Sequence, residues 1–256
     1  MKTGERQDRS ASLAESQPAV PVRRTLAQDL FDGVAPLDDT WAQVLTDFQS
    51  LRWRKFLVSR MALRPGNLVL DVCTGTAGVA MEIANHHDGR IVGIDVSHLM
   101  LQAGLLAIEK KSLGGRVQLV QGRAEHLPFP DETFDAVVFT YLLRYVQEPD
   151  ATIRELSRVL KPGGQLLSLE FDTPKASWMR ALWELNNRVV MPVMTLPVSR
   201  GWHRMGCFLG PSISDFCHRW PVDRLAAIWR DNKIPLVETR PLLKGVAVVM
   251  WGMKGR

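Results

Sequence analysis

Residues 69–78 read Val-Leu-Asp-Val-Cys-Thr-Gly-Thr-Ala-Gly, and this stretch decides the fold. The apolar run up to Asp71 is typical of a short buried strand, and the small residues that follow fit a tight turn. We expect a helix to begin at about Gly78. Small residues let a ligand approach the backbone closely, and a helix start offers unpaired N–H groups. An ordinary strand-to-helix turn has the same pattern, so the stretch alone does not identify a ligand.

Short apolar runs alternate with helical patterns on the carboxyl side of this turn. The runs are 68–72, 91–95, 117–121, 134–140 and 165–171. Ser97 can cap one intervening helix, and another carries Ile153, Leu156 and Leu160 and should end at residues 161–164, Lys-Pro-Gly-Gly. Strands and helices at this spacing predict a parallel sheet with helices on both faces.

The end of the chain breaks this alternation. Two apolar runs, 236–242 and 246–251, are separated by only three residues, 243–245. Parallel strands need a crossover of about a dozen residues or more, so this pair must be antiparallel. The sequence therefore predicts an α/β protein whose parallel sheet ends in an antiparallel hairpin, which a plain dinucleotide-binding fold does not have.

Composition excludes several classes of protein. The chain has 256 residues, of which 46% are hydrophobic, and a mean hydropathy of −0.06, so it is neither disordered throughout nor fibrous. Three cysteines without a CxxC pair argue against a disulfide scaffold and a metal site. The polar N-terminal residues and the lack of an apolar run of ~20 residues predict a cytoplasmic protein.

We divide the chain into a disordered tail, residues 1–24, and a single domain, residues 25–256. Two segments of this domain lie outside the strand-and-helix alternation: the amphipathic N-terminal part, 25–62, and an insert, 174–220, with four prolines. We expect these segments to form an α-rich cap above the carboxyl edge of the sheet, where ligands bind in such folds.

Two carboxylates point to the ligand. Asp95 ends the second strand, 20 residues after Gly75, where a carboxylate can accept hydrogen bonds from both ribose hydroxyls of a nucleoside. Asp71 lies beside the small-residue turn, where it would repel a diphosphate but could hold the ammonium group of an amino acid. This combination favours S-adenosyl-L-methionine (SAM) over a nicotinamide dinucleotide, and it makes a nicotinamide-dependent oxidoreductase a distant alternative.

A resemblance to a known family rests on two further segments. Residues 122–138 read Gly-Arg-Ala-Glu-His-Leu-Pro-Phe-Pro-Asp-Glu-Thr-Phe-Asp-Ala-Val-Val, and residues 159–164 read Val-Leu-Lys-Pro-Gly-Gly. Both resemble segments of class I SAM-dependent methyltransferases. Residues 143–146, Leu-Arg-Tyr-Val, and the Leu-Glu-Phe of 169–171 followed by Pro174 resemble the UbiE/COQ5/MenG quinone methyltransferases more narrowly. The resemblance implies a Rossmann-like seven-stranded sheet and methyl transfer from SAM.

The resemblance also implies a role for individual residues. Asp71, Cys73, Thr74 and Gly75 would line the methionine part of SAM, and Asp95 would hold the ribose. Residues that follow the second and third strands would border the adenine: Val96, Met100, Arg123 and Ala124. Thr140 would close the site at the end of the fourth strand. Candidate catalytic groups at the strand ends are Arg144, which could stabilise an oxyanion, Tyr141 and Glu170.

The sequence departs from the family pattern at several positions. The class usually has glycine or alanine at the position of Cys73 and glycine at the position of Ala77. Arg123 replaces an aspartate or asparagine that accepts from the adenine amino group, and Tyr145 replaces an asparagine. Three interpretations therefore stay open. They are methylation of a quinone-like or prenylated aromatic, N- or O-methylation of a phospholipid or secondary metabolite, and SAM binding without methyl transfer.

The acceptor is expected to be hydrophobic or lipidic. Seven of the eight tryptophans lie in the N-terminal segment or in and just after the insert, and no tryptophan occurs between residues 54 and 177. Residues 174–230 hold eight basic and three acidic residues, an excess of 8 − 3 = +5. We expect large aromatic surfaces mixed with arginine to suit a flat or lipidic acceptor and a peripheral contact with a membrane, and we expect no nucleic acid partner. The oligomeric state stays open.

Overall fold

The computed structural model describes residues 49–197 and 199–256. Its strands are β1 (Leu68–Val72), β2 (Arg90–Asp95), β3 (Val117–Gln121), β4 (Phe134–Thr140), β5 (Leu160–Phe171), β6 (Leu236–Leu242) and β7 (Ala247–Met253). Its helices are α1 (Gln49–Val58), α2 (Gly78–His86), α3 (His98–Lys110), α4 (Pro149–Val159), α5 (Ser177–Leu185), α6 (Met191–Thr195), α7 (Arg200–Arg219) and α8 (Val222–Asp231). A π-helical turn, Asn186–Val190, joins α5 to α6.

Within the described residues the strands form one seven-stranded sheet in the order β3-β2-β1-β4-β5-β7-β6. β1 to β5 are parallel, and β7 runs antiparallel to both β5 and β6. The chain leaves β1 for β2 on one side and returns to β4 on the other, so the strand order reverses at β1. Such a reversal opens a crevice at the carboxyl ends of the strands, where ligands of α/β folds bind.

The two faces of the sheet carry separate cores. On one face, α1, α2 and α3 cover β-strand residues such as Val69 and Val138, and Trp53 and Leu57 fix α1 there. On the other, α4, α7 and α8 cover residues such as Leu70 and Phe139. Alternation along β1 places Asp71 on the same face as Val69, so that its carboxyl group faces the start of α2.

The predicted strands are confirmed, including the closing hairpin, but the boundary between α4 and β5 is wrong. Leu160 was expected to end a helix that stops at residues 161–164; instead α4 ends at Val159, and β5 already begins at Leu160. The backbone explains this early start. The N–H of Gly163 donates to the carbonyl of Lys254 at 2.9 Å, and the N–H of Lys254 donates to the carbonyl of Gly164 at 2.8 Å. These bonds extend the sheet along the segment, whose pairing register with β4 shifts between Phe134 and Ala136.

The insert is mainly helical, as α5, the π-helical turn, α6 and α7. Two glycines of α7 allow this packing, because a Cβ at Gly206 would lie 2.5 Å from Oγ1 of Thr195 and one at Gly210 would lie 2.6 Å from Cβ of Asn187. The sequence showed no clean period here because prolines and a π-helical turn interrupt it. The expected tail and the N-terminal part of the expected cap, residues 1–48, lie outside the described residues.

Candidate functional site

The turn between β1 and α2 has an unusual backbone. Cys73, Gly75 and Ala77 all adopt left-handed conformations, with φ of 60°, 55° and 63°. For a residue with a side chain this costs on the order of 1–3 kcal/mol. The N–H of Thr74 donates to the carbonyl of Ile94 at 3.1 Å, which ties the turn to β2. The turn therefore places the start of α2 directly beyond the end of β1.

Asp71 is fully buried beneath this turn. Its Oδ2 accepts hydrogen bonds from Oγ1 of Thr74 at 2.7 Å and from the N–H of Ala80 in the first turn of α2 at 3.1 Å. Its Oδ1 has no partner among the described residues. Burial raises the pKa of the Asp71 carboxyl to about 7. An unsatisfied buried carboxylate oxygen is costly, so the site is suited to a cationic donor such as an ammonium group.

Asp95 joins the turns that follow β1 and β2. Its Oδ2 accepts from the N–H of Gly75 at 2.8 Å and its Oδ1 from the N–H of Ser97 at 2.9 Å. Each carboxylate oxygen carries two lone pairs and can accept more than one hydrogen bond. Ser97 itself caps α3 by accepting from the N–H of Met100 at 3.2 Å, as predicted.

The residues expected around the adenine follow the carboxyl ends of adjacent strands. Val96 and Met100 follow β2, Arg123 and Ala124 follow β3, and Thr140 ends β4. Met100 and Ala124 are buried, Val96 and Arg123 are exposed, and Thr140 is half-buried. The sheet order therefore brings these residues to one edge of the sheet, on the same edge as Asp95.

The three expected catalytic residues surround the ends of β4 and β5. The carboxyl of Glu170 is buried, and its Oε1 accepts from the N–H of Leu143 at 2.9 Å. Burial raises the pKa of Glu170 to about 7. The Arg144 guanidinium donates to Oη of Tyr145, while its Nε and Nη1 are buried and have no partner among the described residues. A buried cation with free donors is suited to a developing oxyanion.

Aromatic rings line the same cluster. The Tyr141 ring stacks on Phe171 with centroids 4.3 Å apart, and Trp53 meets Phe171 edge-on at 6.4 Å. The Arg144 guanidinium lies 5.3 Å from the Phe171 centroid. Burial raises the pKa of Tyr141 above its usual range, so near neutral pH this residue keeps its proton, can donate a hydrogen bond and is not a phenolate base.

Cys73 links the two halves of the site. Charges from both sides, namely Asp71, Asp95, Glu170 and Arg144, act on its thiol, so the turn and the catalytic cluster are neighbours. Burial and the three nearby carboxyl groups raise the pKa of the Cys73 thiol, whereas nucleophilic cysteines need a lowered one. Its small, half-buried side chain is therefore suited to packing.

Sequence reasoning did not single out Arg54. This residue lies on α1, yet its guanidinium lies over the first residue of α2, because a Cβ at Gly78 would be 2.9 Å from Cζ of Arg54. Its positive charge also acts on Asp71 and Tyr141. Arg54 is one of four basic residues between 52 and 60. Only the packing of α1 against α2 distinguishes it from the other three.

No group of three or more histidine, cysteine, aspartate or glutamate side chains in residues 49–197 and 199–256 could hold a metal ion. No helix in that part of the chain combines the length and the apolar composition needed to cross a membrane.

Comparison with known proteins identifies the family. The model of the ubiE/COQ5 methyltransferase family matches residues 20–254. The chain belongs to this family. It is 32% identical to the demethylmenaquinone methyltransferase of Geobacillus kaustophilus over 227 residues, which is 88% of this chain and 95% of the relative. It is 37% identical to the ubiquinone/menaquinone biosynthesis C-methyltransferase UbiE of Shewanella woodyi over 167 residues, 64% of this chain and 66% of the relative.

The fold is also that of known methyltransferases. A SAM-dependent methyltransferase from Aquifex aeolicus superimposes with a TM-score of 0.58 at 17% identity, covering 93% of this chain and all of that one. The chain is therefore a class I SAM-dependent methyltransferase of the ubiE/COQ5 family, with SAM as its cofactor.

Proposed function

We propose that this methyltransferase transfers the methyl group to a ring carbon of a hydrophobic quinone-type acceptor. The proposal rests on the Arg144 guanidinium, which lies beside aromatic rings and has two buried nitrogen atoms without a partner among the described residues. The names of the relatives from Geobacillus and Shewanella agree with such an acceptor and favour it over a phospholipid, an N- or O-methylation substrate, or SAM binding without transfer.

The cofactor site in this proposal consists of the turn after β1 and the ends of β2 to β4. Asp71 Oδ1 is the acceptor for the ammonium group of SAM, with Cys73, Thr74 and Gly75 around the methionine chain. Asp95 accepts from the ribose hydroxyls, and the adenine lies among Val96, Met100, Arg123, Ala124 and Thr140. The buried Oδ1 supports the fit, because it has no partner in the described part of the chain and a bound cation would satisfy it.

SAM supplies a sulfonium that already carries an activated methyl group, so the protein must align the acceptor and exclude water. The acceptor must arrive as the reduced hydroquinone, since only an ionised ring hydroxyl makes the neighbouring carbon nucleophilic. Arg144 holds that oxygen as an anion. Glu170 anchors the loop that carries Arg144 and, as a carboxylate, accepts the proton that the methylated carbon must lose. Tyr141 provides a flat wall and a hydroxyl donor.

We also propose that the helices of the insert, together with residues 25–62, form a cap over the acceptor. Sγ of Cys217 on α7 lies 3.6 Å from the carbonyl of Phe171. Charges from Glu170 and Arg144 also act on the Cys217 thiol. These contacts support a position of α7 beside the catalytic cluster, where it would separate the acceptor from water.

The experiment compares Arg144→Ala and Arg144→Lys with the wild type, using labelled SAM and a short-chain demethylmenaquinol. We expect Arg144→Ala to lower kcat by about 100-fold or more, and Arg144→Lys to retain part of the activity. SAM affinity, measured by calorimetry, should not change. Arg154→Ala, an exposed arginine on α4, is the matched control.

Two outcomes would contradict the proposal. One is an Arg144→Ala variant with wild-type turnover. The other is a product whose labelled methyl group is found on oxygen or nitrogen by NMR, because C-methylation requires a new carbon–carbon bond.

Finally, we propose that the protein contacts a membrane surface to reach its acceptor. The segment from α5 to Leu196 exposes an apolar stripe with helical spacing: Trp178, Leu182, Leu185, Val189, Val193 and Leu196. Basic residues of the same region are exposed and fit an anionic lipid surface: Lys175, Arg180, Arg188, Arg200 and Arg204. A helix that exposes an apolar face flanked by arginines is typical of interfacial binding.

A further inference from the structure

Arg54 lies where α1 crosses the start of α2. Its neighbours Trp53 and Leu57 are buried in the core and fix the helix, while the Arg54 side chain is half-buried and extends towards Gly78. A Cβ at Gly78 would be 2.9 Å from Cζ of the guanidinium. Glycine at position 78 therefore leaves the space that the guanidinium occupies.

The Arg54 guanidinium forms no ion pair with a carboxylate of residues 49–197 or 199–256. The described residues include several ion pairs of arginine with aspartate or glutamate, but none involves Arg54. Instead its charge acts on Asp71, which is buried beneath the turn before α2 and whose Oδ1 has no partner among the described residues. Among the described residues, a guanidinium without a carboxylate partner and a carboxylate oxygen without a hydrogen-bond partner thus both lie at the start of α2.

This arrangement matches the two charges of an amino acid. The methionyl end of SAM carries an ammonium and a carboxylate on one carbon atom. The start of α2 adds backbone N–H groups that lack partners within the helix, and the helix dipole favours an anion there. A guanidinium can also bind a carboxylate through two parallel hydrogen bonds.

We propose that Arg54 binds the carboxylate of the methionyl group of SAM, while Asp71 Oδ1 accepts from its ammonium group. This inference rests on the cofactor site proposed above and adds a residue from α1 to it. Arg54 then makes the site specific for ligands that retain the amino-acid carboxylate, and the packing of α1 on α2 becomes part of cofactor binding.

The test compares two ligands by calorimetry. S-adenosylhomocysteine carries the amino acid, and 5′-methylthioadenosine has the nucleoside and a thioether but no amino acid. We expect Arg54→Ala to weaken binding of S-adenosylhomocysteine by about 10- to 100-fold, the usual value of a charged hydrogen bond, and to leave binding of 5′-methylthioadenosine unchanged. Arg54→Lys should lose less affinity for S-adenosylhomocysteine than Arg54→Ala does.

Two further variants sharpen the result. Gly78→Ala keeps Arg54 but fills its space, so it should reproduce the selective loss of S-adenosylhomocysteine affinity. Lys55→Ala, an exposed neighbour on α1, should bind both ligands as the wild type does. Asp95→Ala should weaken both ligands, since the ribose is common to them.

The outcomes distinguish this inference from the cofactor site on which it rests. Unchanged binding of S-adenosylhomocysteine to Arg54→Ala would overturn the inference. So would an equal loss of both ligands, since that result would mean that Arg54 only stabilises the packing of α1 on α2. If the wild type bound neither ligand, or if Asp95→Ala bound both normally, the proposed cofactor site itself would be wrong.

Discussion

Glu170 is a carboxyl group held in the protein interior, which makes the stability of the protein depend on pH. Burial raises the pKa of Glu170 from 4.5 to about 7. Between these two values the folded protein keeps a proton that the unfolded chain releases. The free energy of unfolding must therefore fall as the pH rises through this window. Asp71, whose pKa is also raised to about 7, acts in the same direction.

We predict that Glu170→Gln removes the contribution of Glu170 to the fall in the free energy of unfolding with rising pH. This contribution is on the order of 3 kcal/mol. The measurement is the free energy of unfolding in urea at pH 5 and pH 8. The wild type should lose more stability between the two values than the variant does. A control is Glu109→Gln, an exposed carboxyl on α3, which should follow the wild type. Equal losses in Glu170→Gln and the wild type would contradict the prediction.

At the scale of single residues, the sequence predicts the position of a site residue when the local pattern of strands and turns determines it. Asp71 and Asp95 could be placed because each ends an apolar strand, and the ends of neighbouring parallel strands share one edge. Arg54 could not be placed, because its position depends on how α1 packs against α2. The grouping of the tryptophans does not predict a shared role, because Trp229 is fully buried in the core against Phe139, with ring centroids 6.0 Å apart.

Among the helices, the tryptophans of α8 and α5 provide a matched pair. Trp229 on α8 is fully buried, whereas Trp178 on α5 is 67% exposed. We predict that Trp229→Ala lowers the free energy of unfolding by about 3–5 kcal/mol, because it leaves a cavity between α8 and the sheet. Trp178→Ala should change it by no more than about 0.5 kcal/mol.

The pair is measured by urea unfolding monitored by circular dichroism. A loss smaller than about 1 kcal/mol in Trp229→Ala would mean that α8 is not part of the core. A large loss in Trp178→Ala would mean that the α5 face is covered by another part of the chain.

At the scale of whole elements, periodicity predicted the strands and their order of appearance, because buried strands are short apolar runs. It failed at residues 160–164, where bonds to the C-terminal segment around Lys254 extend β5 across Pro162. Such bonds join residues about 90 positions apart and leave no local pattern. The helices of the insert were harder to predict for the same reason. Its helices depend on close contacts at Gly206 and Gly210, which only the folded structure reveals.

At the scale of the whole molecule, charge and hydrophobicity are distributed unevenly. The excess of basic residues in 174–230 is as large as the net charge of the chain, +5. The same region exposes the apolar stripe, whereas the part of the chain that we assign to SAM lies at the carboxyl edge of the sheet. Cofactor and acceptor are thus expected to approach from different surroundings, the aqueous phase and the lipid phase.

This separation leads to a prediction about vesicles. We expect the full-length protein to co-sediment with vesicles that contain anionic lipid more than with neutral ones, and added salt should weaken this preference. Replacing two residues of the stripe, Leu182→Glu with Val193→Glu, should weaken vesicle binding more than 10-fold, because burying each side chain is worth about 1.5–3 kcal/mol. The matched control is Leu106→Glu on α3, where the leucine is 68% exposed.

The same variants separate lipid contact from the other uses of an apolar face. With a vesicle-borne acceptor, the double variant should show a raised KM. With an acceptor dispersed in detergent its kcat should equal that of the wild type, because the stripe lies outside the catalytic cluster. Wild-type vesicle binding by the double variant would contradict the prediction. A second contradicting result would be a dimeric wild type that binds no vesicles, together with a Leu182→Glu variant that is monomeric. The stripe would then be an interface between two copies of the chain.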